Sequence, residues 1–141
     1  MGARCLKLII DSNIKDVFLI GLAINKICSE IPLSEIDSYH LEVCVVEACN
    51  NAIEHAYDYK PGNDVEVVVK LYLDRIEFKI SDYGKSMQGE PVSSLDFDPQ
   101  DREHLPEGSM GFPIIKTLMD NVDYESRNGK NILTLVKAFD K

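Results

Sequence analysis

Glu47, Asn51 and Glu54 recur at helical spacing in "EACNNAIEHA" (47–56), with Asn50 and His55 beside them. Advancing about 100° per residue from Glu47, Asn51, Glu54 and Asp58 fall on one narrow stripe, flanked by His55 and Asn50. Leu41, Val45, Ala48, Cys49, Ala52 and Ala56 fall on the opposite arc. A polar stripe over an apolar one is what any surface helix presents, but the composition of this stripe is unusual. Asn costs about 0.5 kcal/mol against Ala inside a helix. From Ile27 to Tyr59 there are seven acids and no Lys or Arg, so no i,i+4 ion pair accounts for the glutamates. A carboxylate and a carboxamide oxygen one turn apart suit a hard cation such as Mg²⁺, which takes oxygen ligands and keeps several waters. The alanines of the other arc are small enough to let the helix pack closely on a sheet.

Two further segments supply what a Mg-nucleotide needs. In "SDYGKSM" (81–87), Asp82 can accept a hydrogen bond from an exocyclic amine, and Gly84 lets a flat ring approach the backbone. The bland alternative is an ordinary Asp-x-Gly turn. "GSMGF" (108–112) opens a helix, whose free N–H groups and dipole can hold phosphate. The bland alternative there is a glycine-containing cap. No Walker A sequence and no G-x-G-x-x-G is present, so a phosphate site here is of another design.

The elements that must position these residues follow from periodicity and turn chemistry. "CLKLII" (5–10) reads as a strand, and "DSN" (11–13) caps a helix over 14–28. Ser34, with Asp37 three residues on, opens a long helix to about Tyr57. Residues 65–73 and 76–81 form a hairpin. Residues 84–109 hold three Gly, three Pro and six acids without periodicity, and a loop that long in a compact domain is usually functional or disordered. A helix resumes over 110–120, and a second hairpin turns at Asn128-Gly129, a type I′ signal. Helices and hairpins are segregated, which predicts an α+β two-layer sandwich with a mostly antiparallel sheet covered on one face by helices.

Composition bounds the class. The 141 residues make one domain, 1–141. No apolar run approaches the roughly 20 residues of a membrane helix, and the first residues carry no secretory signal. The net charge of −9 argues against a nucleic-acid backbone as partner, though not against a nucleotide. Cys5, Cys28, Cys44 and Cys49 form no C-x-x-C pair. They read as reduced, buried thiols in a cytoplasmic protein.

Together, "VVEACNNAIEHAY", "ISDYGKSM" and "GSMGFPIIKTLMDNV" resemble the three ATP-binding boxes of the GHKL ATPase superfamily. Within it, the chain resembles the bacterial anti-sigma factor serine/threonine kinases (RsbW type) over nearly its whole length. The resemblance implies a Bergerat-type fold, ATP and Mg²⁺, with an ATP lid over about 85–109. It implies Glu47 as general base toward an attacking Ser or Thr hydroxyl, and Asn51 as the Mg²⁺ ligand. His55 would lie beside the nucleotide, Asp82 would read the adenine amine, and Gly84 would make room for the ring. Ser86, Met87, Ser109, Met110, Gly111, Phe112 and Asn131 would complete the nucleotide site. The implied partners are a sigma factor, held when its antagonist is phosphorylated, and the antagonist itself, with a homodimer as the assembly and neither nucleic acid nor membrane bound directly.

The match departs from the family pattern at four places. Ser86 stands where the first glycine box has its second Gly, and Ser109 where the second box has its first. Glu107 stands near where relatives carry Arg by the γ-phosphate, and Asn131 replaces a terminal Gly-Thr. These departures motivate the alternative of a catalytically weak or inactive regulatory binding module of the same fold.

Overall fold

The computed structural model describes residues 3–86 and 111–139. Strand β1 (Arg4–Asp11) leads through a 3₁₀ turn at Ile14–Asp16 into helix α1 (Val17–Ser29). The turn arises because Asn13 caps early: its side chain accepts from the Lys15 N–H at 3.0 Å. Helix α2 (Glu35–Asn51) starts where predicted, with the Ser34 hydroxyl accepting from the Asp37 N–H. It does not run as an α-helix to Tyr57, because its last turn, Ala52–Ala56, widens to a π-helix.

Strands β2 (Asp64–Leu71) and β3 (Arg75–Asp82) form the first hairpin. Helix α3 (Gly111–Leu118) precedes the second hairpin, β4 (Asn121–Arg127) and β5 (Lys130–Ala138). Its turn has positive φ at both Asn128 (55°) and Gly129 (78°), as a type I′ turn requires.

The described strands make one five-stranded antiparallel sheet in the order β1-β2-β3-β5-β4. This is the two-layer α+β architecture expected. Alternate residues face the helices: Val65, Val67 and Val69 on β2, Ile76, Phe78 and Ile80 on β3, and Leu133 and Leu135 on β5, all buried. They meet Ile20 and Ile24 of α1, Leu41, Val45 and Cys49 of α2, and Ile115 of α3. Asp82 and Asn131 continue the inward rows of β3 and β5 and are directly paired in the register. The sheet therefore carries two polar side chains into the helical layer at one end, opposite the C-terminal turns of α2.

Candidate functional site

A cleft lies where those turns face the sheet. The helix side is Ala48, Asn51, Ala52, His55 and Ala56, and the sheet side is Ile80, Asp82, Tyr124 and Leu133, with Lys85 at the end of β3. Ala48, Ala52 and Ala56 were expected to pack the helix closely on the sheet. Ala48 is buried in the core and Ala56 packs against it, and all three also line the cleft, where their short side chains leave room. The cleft is centred on the arc between Asn51 and Ala52, which explains the position of Glu47. Glu47 is half-buried one turn before Asn51, offset by about 40° around the helix, and is not among the lining residues.

Asn51 is 5% exposed, and its Nδ2 is buried without a hydrogen-bond partner, the one such atom among the described side chains. A buried amide left unpaired costs on the order of 1–3 kcal/mol, so the cleft presents a carboxamide that lacks a complement. Phosphate oxygens would satisfy its N–H, and its carbonyl oxygen suits a divalent cation. The residues present fit a Mg-nucleotide. Asn51 would stand at the phosphate and metal end, and the apolar Ile80, Leu133 and Ala52 with the Tyr124 ring suit a flat base.

Asp82 is the polar group of the sheet side. Its Oδ1 accepts from the Gly84 N–H at 3.1 Å and from Asn131 Nδ2 at 2.7 Å. Burial pushes its carboxyl above the usual range, while those two donors pull the other way. Asn131 Nδ2 also donates to the Gly84 carbonyl at 3.0 Å, and the Ser126 hydroxyl donates to Asn131 Oδ1 at 2.7 Å.

Gly84 also serves the fold. A Cβ there would stand 2.7 Å from the Ala56 carbonyl carbon, nearer still to its oxygen, and 2.8 Å from Tyr57 Cδ1. The glycine lets the β3 exit dock on the π turn, where the Lys85 N–H donates to the Ala56 carbonyl at 3.0 Å.

The π turn ends in two left-handed residues, Asp58 (φ 54°) and Tyr59 (φ 62°). Its closing bond, Tyr59 N–H to Ile53 carbonyl, spans six residues, one more than the usual Schellman closure. That widening sets His55 and Ala56 into the cleft wall and buries Tyr57. The Tyr57 hydroxyl donates to the Asp64 carbonyl and accepts from the Tyr83 N–H, each at 2.7 Å. It thus fixes the segment that carries Asp82 and Gly84.

His55 lines the cleft, with Nε2 3.8 Å from Glu54 Oε2. Ser86 is exposed and outside the cleft lining. Gly111 and Phe112 open α3. Met87, Ser109 and Met110, along with most of the expected lid and Glu107, lie outside the described residues. Tyr57, Lys85, Tyr124 and Ser126 were not anticipated. Tyr57 closes the quoted "IEHAY" segment, but the other three become visible only once the strand register is known. The thiols of Cys28, Cys44 and Cys49 are buried as expected, each pushed up to about 12 chiefly by burial, and chemically quiet, whereas Cys5, also expected to be buried, is exposed on edge strand β1.

Comparison with known proteins agrees with this geometry. Residues 11–137 match the histidine kinase-like ATPase domain family. The serine-protein kinase RsbW of Bacillus pumilus is 33% identical over 122 residues, covering 82% of this chain and 75% of that protein. Those of Bacillus mycoides (31% over 121 residues; 83% and 74% covered) and Bacillus velezensis (30% over 120 residues; 82% and 74%) are similar to the same extent.

Proposed function

The chain belongs to the histidine kinase-like ATPase domain family, and from that premise we propose that it is an ATP-dependent serine/threonine protein kinase of the anti-sigma factor type. The whole chain acts as one ATP-binding domain in the cytoplasm. Among its described residues no helix is long and apolar enough to cross a membrane. The observation that carries the reading is the unpaired Nδ2 of buried Asn51, in a cleft whose other wall holds Asp82.

Asp82 accepts from the adenine amine, the apolar floor takes the ring, and Asn51 with His55 lies toward the phosphates. Mg²⁺, when bound at Asn51, would neutralise phosphate charge. Glu47, one turn before Asn51, takes the proton from the Ser or Thr hydroxyl of a protein substrate as that oxygen bonds to the γ-phosphorus and ADP leaves. The substrate is an anti-sigma antagonist, by likeness to the serine-protein kinases above, and the unphosphorylated antagonist competes with a sigma factor for this protein.

A homodimer fits the surface. The 3₁₀ turn and α1 leave Ile14, Phe18 and Leu22 exposed at i, i+4 and i+8, and edge strand β1 exposes Leu6 and Ile9. Exposed apolar side chains on a helix and on a sheet-edge strand are suited to a second copy.

The test is label transfer from γ-labelled ATP to the cognate antagonist. Glu47→Gln should abolish transfer and keep ATP binding, whereas equal labelling by both proteins removes Glu47 from the mechanism. A second reading, a regulatory binding module with weak catalysis, is favoured by the position of Glu47 outside the cleft lining. It predicts nucleotide binding without label transfer by the unmodified protein.

A further inference from the structure

The nucleotide reading places Asp82 against the base, and Asp82 can discriminate only if it stays a hydrogen-bond acceptor inside a buried site. Burial opposes this by favouring the protonated carboxyl. We propose that Ser126 and Asn131 are a positioning pair that holds Asp82 as an acceptor and so makes the cleft select a 6-amino purine nucleotide over one lacking that amine. The inference rests on the nucleotide reading above and extends it to two residues that do not themselves recognise the base.

The hydrogen-bond geometry carries the argument. Asn131 is 2% exposed, and its carboxamide is engaged on both ends within the protein. One N–H goes to Asp82 Oδ1 at 2.7 Å and the other to the Gly84 carbonyl at 3.0 Å. Its Oδ1 accepts from the Ser126 hydroxyl at 2.7 Å. A flipped amide would set its oxygen against two acceptors, Asp82 Oδ1 and Gly84 O, and lose both bonds. Those two acceptors set the amide's orientation, and the Ser126 hydroxyl, donating to Oδ1, tethers its other end in place. With Asn131 locked, Asp82 Oδ1 meets only N–H donors, from Asn131 and Gly84. The two bonds to Oδ1 favour the ionised carboxylate and so work against the effect of burial. Both bonds fall on Oδ1, which leaves Oδ2 outside them to accept from an amine in the cleft. A carbonyl in the amine's place would bring acceptor against acceptor.

The register explains why these residues are the ones available. Asn131 is the β5 partner of Asp82, and Ser126 is the β4 partner of Asn131. All three lie in one row across adjacent strands, facing the helical layer.

The experiment is titration calorimetry of the full chain with Mg-ATP and with the Mg-triphosphate of purine riboside, which lacks the 6-amino group. Ser126→Ala, Ser126→Thr and Asn131→Leu are compared with the unmodified protein. The unmodified protein should prefer ATP by about tenfold or more, the worth of a hydrogen bond to a charged acceptor. Ser126→Ala should narrow that ratio about threefold, and Ser126→Thr, which keeps the hydroxyl, should restore it. Asn131→Leu should bring the ratio near one.

Parallel loss of both nucleotides, or an unchanged ratio in Ser126→Ala, overturns the inference and leaves the nucleotide reading standing. An unmodified protein that binds neither overturns both. Ser126 is exposed, so its substitutions decide the matter even if Asn131→Leu fails to fold.

Discussion

A buried amide nitrogen without an acceptor destabilises a folded protein, and Asn51 Nδ2 carries that penalty beside the cleft. Asn51→Leu should therefore raise the stability of the ligand-free protein by about 1 kcal/mol, read as a higher Tm, while abolishing Mg-ATP binding. A lower Tm with binding intact would show that the amide serves the fold. Asp82 makes the same bargain through charge. Burial raises its carboxyl pKa in the folded state, so its contribution to stability is full below the unfolded value and is lost as pH rises through the folded value. At neutral pH Asp82→Asn should leave the protein as stable or more so, yet unable to prefer ATP. Conversely, ATP affinity of the unmodified protein should fall as pH drops through that raised value, because the carboxylate is a stronger acceptor for the amine than the neutral carboxyl. Denaturation and calorimetry across pH check both signs. These two residues were legible in the sequence because each breaks a local rule: an asparagine inside a helix without charge partners, and an acid where an apolar strand ends. Ser126 and Tyr124 break no rule. Their role comes from strand register, which no single segment displays.

The elements act by docking on one another. Gly84 admits the β3 exit to the π turn, and Tyr57 bolts the two together. Gly84→Ala should cost about 3 kcal/mol, the upper end of overpacking penalties, since the obstacle is a backbone carbonyl rather than a flexible side chain. It should also weaken nucleotide binding, because Asp82 moves with the segment. Tyr57→Phe should cost about 1–2 kcal/mol by stranding the Tyr83 N–H, as chemical denaturation would show. A second clamp lies on the opposite face of the sheet, where Glu66 accepts from the Tyr83 hydroxyl at 2.7 Å and pairs with Lys7 at 3.3 Å. The Tyr83 bond, with Lys7 contributing, holds the Glu66 carboxyl below its usual range. That stabilisation is present above the unfolded carboxylate pKa and is lost as pH falls through the lowered folded value. Glu66→Gln should accordingly flatten the acid side of the stability profile. The helix starts and the type I′ turn were readable because a cap or a dipeptide specifies them locally. The π turn was not, because its widening answers to Tyr57 and Gly84, which lie outside the helical pattern.

Across the whole molecule, a two-layer sandwich places one polar pair, Asp82 and Asn131, at the end of an apolar sheet and faces it with a helix thinned by alanines. The order of helices and hairpins made that architecture legible. The exact depth of the cleft was not, since the helical wheel assigned Ala48, Ala52 and Ala56 to packing. Ile14, Phe18 and Leu22 are exposed and none of them lines the cleft, so dimerisation and nucleotide binding are separable: Phe18→Glu should yield monomers by light scattering that still bind ATP. The central claim is that a Mg-nucleotide is held between Asn51 and Asp82. Titration calorimetry of the unmodified chain with Mg-ATP, alongside Asp82→Asn and Asn51→Leu, tests it most directly. Saturable binding at one nucleotide per chain, lost in Asn51→Leu and without preference for the adenine amine in Asp82→Asn, is the predicted result. No binding at millimolar Mg-ATP, or equal binding by all three proteins, would contradict it.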